Sequence, residues 1–230
     1  NSLGFGTTPA AKRQANRNYI AIQMMSRGVP MIVWGDEFSR TQNGNNNPYN
    51  IDSVATWSNY NMINTKSPHL VATGGAGSYH NNFGTFNNTE DVNGNFMFMK
   101  YMLDLKANEP ALNQTDYGVG YDFKKEDGKT DLTDGDRCVW VRINGSGVTG
   151  TDSEGNTVQG SDYLVFMNMY TEAVSFSVPT ANGEEWKLMV DTSSAKESNF
   201  NYWEVSDTSD VYSSATYSVP AWSVVIMKNY

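Results

Sequence analysis

The chain changes its hydrophobic period near the middle. Between Thr8 and Gly28, Ala11, Ala15, Tyr19, Ile22 and Met25 recur at helical spacing, with Lys12, Arg13, Asn16 and Arg17 on other positions. Thr8 suits an N-cap, Pro9 the first helical position and Gly28 the C-terminal end. The run Val29-Pro30-Met31-Ile32-Val33-Trp34-Gly35 is almost continuously apolar. It predicts a strand buried on both faces, as parallel sheets require. A polar stretch rich in Asn, Gly, Ser and Thr follows over 36–92, then a second helix over about 95–108. Phe98, Met99, Met102, Leu103 and Leu105 give that helix its apolar face, and Pro110 stops it.

From Ala111 onward the pattern alternates. Strands are expected over 139–143, 163–167, 174–178, 186–190 and 222–227, separated by turn signals at Asp134-Gly135, Asn144-Gly145 and Asn182-Gly183. Short strands at this spacing point to an antiparallel sandwich. The expected organisation is therefore an α/β segment over 1–110 and an all-β domain over 111–230.

Composition narrows the function classes. The chain has 230 residues, 18% charged and 13% aromatic, and a formal net charge of −9. Acidity without a basic stripe argues against nucleic acid as a partner. No apolar run approaches the roughly 18 residues that span a bilayer, so no membrane partner is expected. One cysteine, Cys138, excludes an internal disulfide, and with only His69 and His80 a zinc site is not expected. Aromatics and amides at the surface suit sugars, which offer ring faces and hydroxyls, and equally suit ordinary strands.

The segment Gly28 to Asn47 carries the sharpest signal. Its Gly35-Asp36-Glu37-Phe38, Arg40-Thr41-Gln42 and Gly44-Asn45-Asn46-Asn47 runs, with Tyr49 two residues on, resemble the eighth barrel strand and following loop of α-amylase superfamily enzymes of the glycogen-debranching and isoamylase type. Arg13-Gln14-Ala15-Asn16-Arg17-Asn18 resembles the start of that family's seventh barrel helix, with slightly altered spacing. Leu105 to Leu112 resembles the end of the eighth helix, and Tyr163 to Thr192 its carboxy-terminal β-domain. The resemblance implies the last helix–strand–helix segment of a (β/α)8 barrel followed by a β-sandwich.

It also implies a glycoside hydrolase that cleaves α-1,6 branch linkages, commonly cytoplasmic, with branched α-glucan as substrate and no cofactor. In this family the nucleophilic Asp, the acid/base Glu and a second Asp follow strands four, five and seven. All three are expected to precede Asn1, so the chain is expected to be an inactive part of a longer parent, with no catalytic residue of its own. The rest of the barrel is then a partner of the strand at 30–35, which alone would leave both edges unpaired and must be covered by nonnative packing or by another chain.

Substrate-side candidates are Asp36, Glu37, Arg40, Asn45, Asn46, Asn47 and Trp57. Asp36 and Glu37 are sequence neighbours leaving a strand, so their side chains should diverge rather than face each other across a sugar. Arg40 and the three asparagines either contact glucan hydroxyls or stabilise the loop. Trp57 and Tyr60 could stack on glucose rings, whereas Trp186 and Trp222 suit a core. Gly74-Gly75-Ala76-Gly77 lacks the Lys-Ser/Thr of a phosphate loop and reads as a flexible lid. Asp127, Asp131, Asp134 and Asp136 miss the spacing of a calcium loop and read as an acidic hairpin turn. Two other readings remain open: a noncatalytic α-glucan-binding module, or part of an α-1,4-acting amylase or transferase.

Overall fold

A computed structural model of the chain describes residues 8–42, 45–53, 56–72, 82–116, 120–180, 184–204 and 211–230. Helix α1 spans Pro9–Met25 and begins as expected, with the Thr8 hydroxyl accepting from the Ala11 amide. Helix α2 spans Gly94–Asn108, and its N-cap Asn93 accepts from the amides of Asn95 and Phe96. Lys106 joins the two helices by donating to the carbonyls of Ser26 and Leu112 (2.6 and 2.7 Å). Among the described residues, no helix is long and apolar enough to cross a membrane.

Among the described residues, ten strands follow: β1 (Tyr121–Lys124), β2 (Cys138–Ile143), β3 (Thr149–Thr151), β4 (Thr157–Gln159), β5 (Tyr163–Asn168), β6 (Val174–Ser177), β7 (Trp186–Asp191), β8 (Val211–Tyr212), β9 (Thr216–Val219) and β10 (Ser223–Asn229). Six make one antiparallel sheet in the order β1-β2-β5-β10-β7-β8, while β6 pairs with β9 and β3 with β4. The centre of the large sheet is buried on both sides, which explains why β5 reads Tyr-Leu-Val-Phe-Met with no polar alternation. Val165, Val141, Val224 and Ile226 pack with Ile20, Met24, Phe98 and Met102 of the helices. Leu164, Phe166, Val225 and Met227 pack on the opposite face with Phe176 and Val219 of the β6–β9 pair. The strand half is thus the expected mostly antiparallel sheet, with a small second layer. The helical elements that precede the strands end at Leu112, the first strand begins at Tyr121, and one core runs across both parts.

Four expectations need correction. Residues 29–35 form no strand, and Val29, Met31 and Trp34 are 91%, 87% and 69% exposed. A parallel strand is held by ladder bonds from both sides, and none of the described residues pairs with this run. Nor does nonnative packing among the described residues cover it. Ile32 leans on the helix–sheet core, and Gln23 Nε2 donates to the Met31 carbonyl.

The helical wheel of α1 is also turned. Tyr19 is half exposed, whereas Arg13, Arg17 and Asn18 are buried. Trp222 lies in the turn before β10 with φ +53°, half-buried rather than in a strand. The burial of the arginines has a remote cause. Glu197, in the 3-10 turn Ser194–Asn199 after β7, accepts from Arg13 Nε (2.7 Å) and Arg17 Nη1 (2.9 Å).

Candidate functional site

The polar stretch after residue 35 turns at once into a 3-10 helix, Asp36–Phe38. Gly35 makes the turn possible. Its φ is +102°, and a Cβ there would lie 2.7 Å from the Arg40 side chain. Ser39 closes the turn in the left-handed region, and the Arg40 amide donates back to the Gly35 carbonyl (2.8 Å).

Three asparagines hold this turn from behind. Asn95 Nδ2 donates to the carbonyls of Asp36 (2.9 Å) and Glu37 (3.2 Å), and Asn93 Nδ2 to those of Phe38 (3.0 Å) and Met62 (3.1 Å). Asn16 Nδ2 reaches Asn95 Oδ1 and the Ser39 hydroxyl. Buried carbonyls are thereby satisfied where no regular structure could do it. Sequence reasoning missed Asn16, Asn93 and Asn95. Asn93 carried a signal all the same, since an Asn immediately before an apolar helical run is an N-cap.

The acid pair behaves as its adjacency implies. Asp36 Oδ2 accepts from the Val33 amide (3.2 Å), and Glu37 Oε2 from the Gly35 amide (2.8 Å). Each carboxylate is folded back on its own turn. Although Asp36 is exposed as a residue, desolvation of its carboxyl raises its pKa and the neighbouring Glu37 charge adds to the rise, against the lowering pull of the Val33 amide and Arg40.

Arg40 donates to the carbonyls of Trp34 (3.0 Å) and Thr56 (3.1 Å). It therefore ties the Asp36–Glu37 turn to the backbone beside Trp57. Trp57 is 56% exposed and its indole N–H donates to Asp52 Oδ1. Asn45 Oδ1 accepts from the Asn47 amide and Asn47 Oδ1 from the Tyr49 amide, so these residues build turns of their own, with Asn46 exposed between them.

An aromatic group not singled out as a unit lies alongside. The Trp34 and Tyr60 ring centroids are 6.4 Å apart, and Tyr60 also packs on Phe38 at 5.3 Å. A groove of about 520 Å³ runs between Trp34, Glu37 and the α2 residues Phe96, Met99 and Leu103.

Elsewhere the acidic hairpin behaves as an acidic hairpin. Asp127 accepts from the amides of Lys129 and Thr130 and from the Thr130 hydroxyl, and these bonds lower its carboxyl to about 2. Among the described residues, no group of three or more His, Cys, Asp or Glu side chains is placed to hold a metal ion. His69 lies in the turn Pro68–Leu70, while His80 and Gly74 to Gly77 lie outside the described residues.

No family model matches the chain. It is 27% identical over 224 residues to the glycogen operon protein GlgX homolog of Mycobacterium tuberculosis, matching 95% of this chain and 28% of that protein. With an isoamylase from a Flavobacterium species it shares 30% identity over 198 residues, 84% of this chain and 22% of that one. Its fold is similar to that of a pullulanase from Bacillus acidopullulyticus, with a TM-score of 0.60 and 16% identity over 96% of this chain and 21% of that one. The chain spans between 21% and 28% of the length of these proteins. The resemblance read from Gly28 to Asn47 is borne out, and the chain is homologous to debranching enzymes of glycoside hydrolase family 13.

Proposed function

We propose that this chain is part of a longer glycoside hydrolase that cleaves α-1,6 branch linkages in glycogen- or starch-type glucans. In this reading it supplies a substrate-side loop and a β-domain, and the catalytic carboxylates come from the rest of the polypeptide. The observation that carries it is an alignment running through 95% of this chain yet only 28% of a glycogen operon protein.

The geometry of the acid pair agrees with that division. Retaining glycosidases need two carboxyl groups about 5 Å apart across a scissile bond. Asp36 and Glu37 are instead each engaged by an amide of their own turn. They serve as substrate-side residues together with Arg40, Asn45, Asn46, Asn47 and Trp57, whose exposed ring can stack on a pyranose face. The bare apolar run at 29–34 is what a neighbouring parallel strand would cover, so the remaining barrel is the partner proposed for it.

Reducing-sugar release from amylopectin tests the division of labour. The 230-residue chain should release none, and a longer polypeptide carrying the preceding barrel should release it readily. Release by the short chain alone would sink the proposal. A cytoplasmic setting is proposed with this activity, and cell fractionation checks it.

A second reading has one observation of its own in the exposed rings of Tyr49 and Trp57, at 80% and 56%. These could hold α-glucan without catalysis. Retardation of the 230-residue chain in a glycogen-containing gel would support it, and unchanged mobility would remove it.

A further inference from the structure

The buried carboxylate of Glu197 receives four donors from two distant parts of the chain. Its Oε1 accepts from Arg13 Nε and Arg17 Nη1, and its Oε2 from Arg13 Nη2 and the Asn87 backbone amide, at 2.7–2.9 Å. Arg13 extends the chain of contacts, since its Nη1 donates to the Phe83 carbonyl and its guanidinium lies 5.4 Å from the Phe86 ring centroid. Next to Phe83, Asn82 Nδ2 donates to the Thr41 hydroxyl (3.1 Å), one residue beyond Arg40. On its other side this loop meets the Lys66 carbonyl through the Phe86 amide (2.7 Å).

We propose that Glu197 is a positioning residue: from the strand half of the chain, its carboxylate fixes residues 82–87 and through them the Thr41 end of the Asp36–Arg40 turn. The inference rests on the reading of that turn as substrate-side. Residues 82–87 contain no helix or strand, so their backbone has few bonds of its own. A charged acceptor with two lone pairs on each oxygen can fix one loop amide and one arginine together, and the arginine then fixes a loop carbonyl. The β-domain thus reaches the sugar-side loop through the Glu197 side chain, without touching sugar.

Hydrogen exchange on the 230-residue chain tests this without any substrate. Glu197→Gln leaves one acceptor for four donors, so the Phe86 and Asn87 amides should exchange about tenfold faster. Arg13→Lys keeps the charge but cannot bridge Glu197 and Phe83 together, and should raise exchange at the same amides by a smaller factor while the protein stays folded. Tyr163→Phe, which removes a hydrogen bond to a different buried carboxylate, Glu109, controls for general loosening. It should leave the two amides unchanged.

Unchanged exchange in Arg13→Lys, or equal acceleration in Tyr163→Phe, overturns the assignment. In a longer, active polypeptide Arg13→Lys should raise KM for amylopectin severalfold and leave kcat within about twofold. Equal effects in Tyr163→Phe would also overturn it. Absence of activity in the unaltered longer polypeptide is a failure of the functional reading alone, and the exchange comparison still decides the role of Glu197.

Discussion

Asn95 Nδ2 lies 2.9 Å from the carbonyl oxygen of Asp36, so the side chain that opens α2 also holds the turn carrying the acid pair. Asn95 is 2% exposed and receives Asn16 on its own oxygen. Asn95→Ala would leave the carbonyls of Asp36 and Glu37 without this donor. A loss of about 1–3 kcal/mol is expected, read from urea unfolding. A stability unchanged within error would mean that water replaces the amide at no cost.

Glu197→Gln is the substitution with the largest expected effect on stability among the polar sites. It leaves Arg13 and Arg17 buried without their ion-pair partner, with only the weaker charge of Asp191 still acting on Arg17, and removing one partner of such a group costs about 3–5 kcal/mol. Burial already lowers the Arg17 guanidinium to about 10 in spite of the facing Glu197. Loss of both charge and size by the partner substitutions Arg13→Met and Arg17→Met, made together with Glu197→Gln, should recover part of the stability in the same assay.

The same carboxylate sets an acid limb to the stability curve. Burial pushes the Glu197 carboxyl up, but the Arg13 hydrogen bond, the two arginine charges and the Asn87 amide together hold it below its ordinary 4.5. A lowered folded-state value means stabilisation that is complete above the unfolded pKa and is lost as pH falls through the folded one. The urea midpoint should therefore decline below about pH 4.5. Glu197→Gln should flatten that decline, and a limb of unchanged steepness would assign it to other carboxylates.

Phe176, on β6, is fully buried and stacks on Phe166 with centroids 5.2 Å apart. Phe176→Ala would open a cavity between the large sheet and its small covering pair. The expected cost is about 3–5 kcal/mol. Because the helices cover the opposite face, near-ultraviolet circular dichroism of the remaining fold should persist in conditions that favour the native state.

Substitution on the bare run at 29–34 separates the isolated chain from the longer protein. Met31 is 87% exposed, so Met31→Lys should change the stability of the 230-residue chain by less than about 0.5 kcal/mol. In a longer polypeptide with a closed barrel, the same lysine would enter a strand interface and cost several times as much. Equal small effects in both would count against the proposed barrel neighbour.

Much of the fold was legible because its signals are local. The Thr8 cap, the stop at Pro110 and the apolar runs at 139–143, 163–167 and 186–190 each report interactions within a few residues. Short strands such as Thr149–Thr151 and Val211–Tyr212 went unread because two or three residues carry no period. The candidate site was legible as a motif. Its support was not, because Asn16, Asn93 and Asn95 come from the two helices and their caps, and the backbone carbonyls that Asn93 and Asn95 hold have no sequence identity.

By itself the sequence determined the two long helices and the strands over 139–143, 163–167, 174–178 and 186–190. Those follow from backbone sterics, capping and periodicity, all acting over a few residues. Tertiary structure decided which polar groups could leave water. The Arg13 and Arg17 face of α1 reads as solvated until Glu197, 184 and 180 residues further on, supplies the opposite charge. Residues 29–35 read as a buried strand, yet they have no ladder here, because a strand is completed by neighbours rather than by its own side chains.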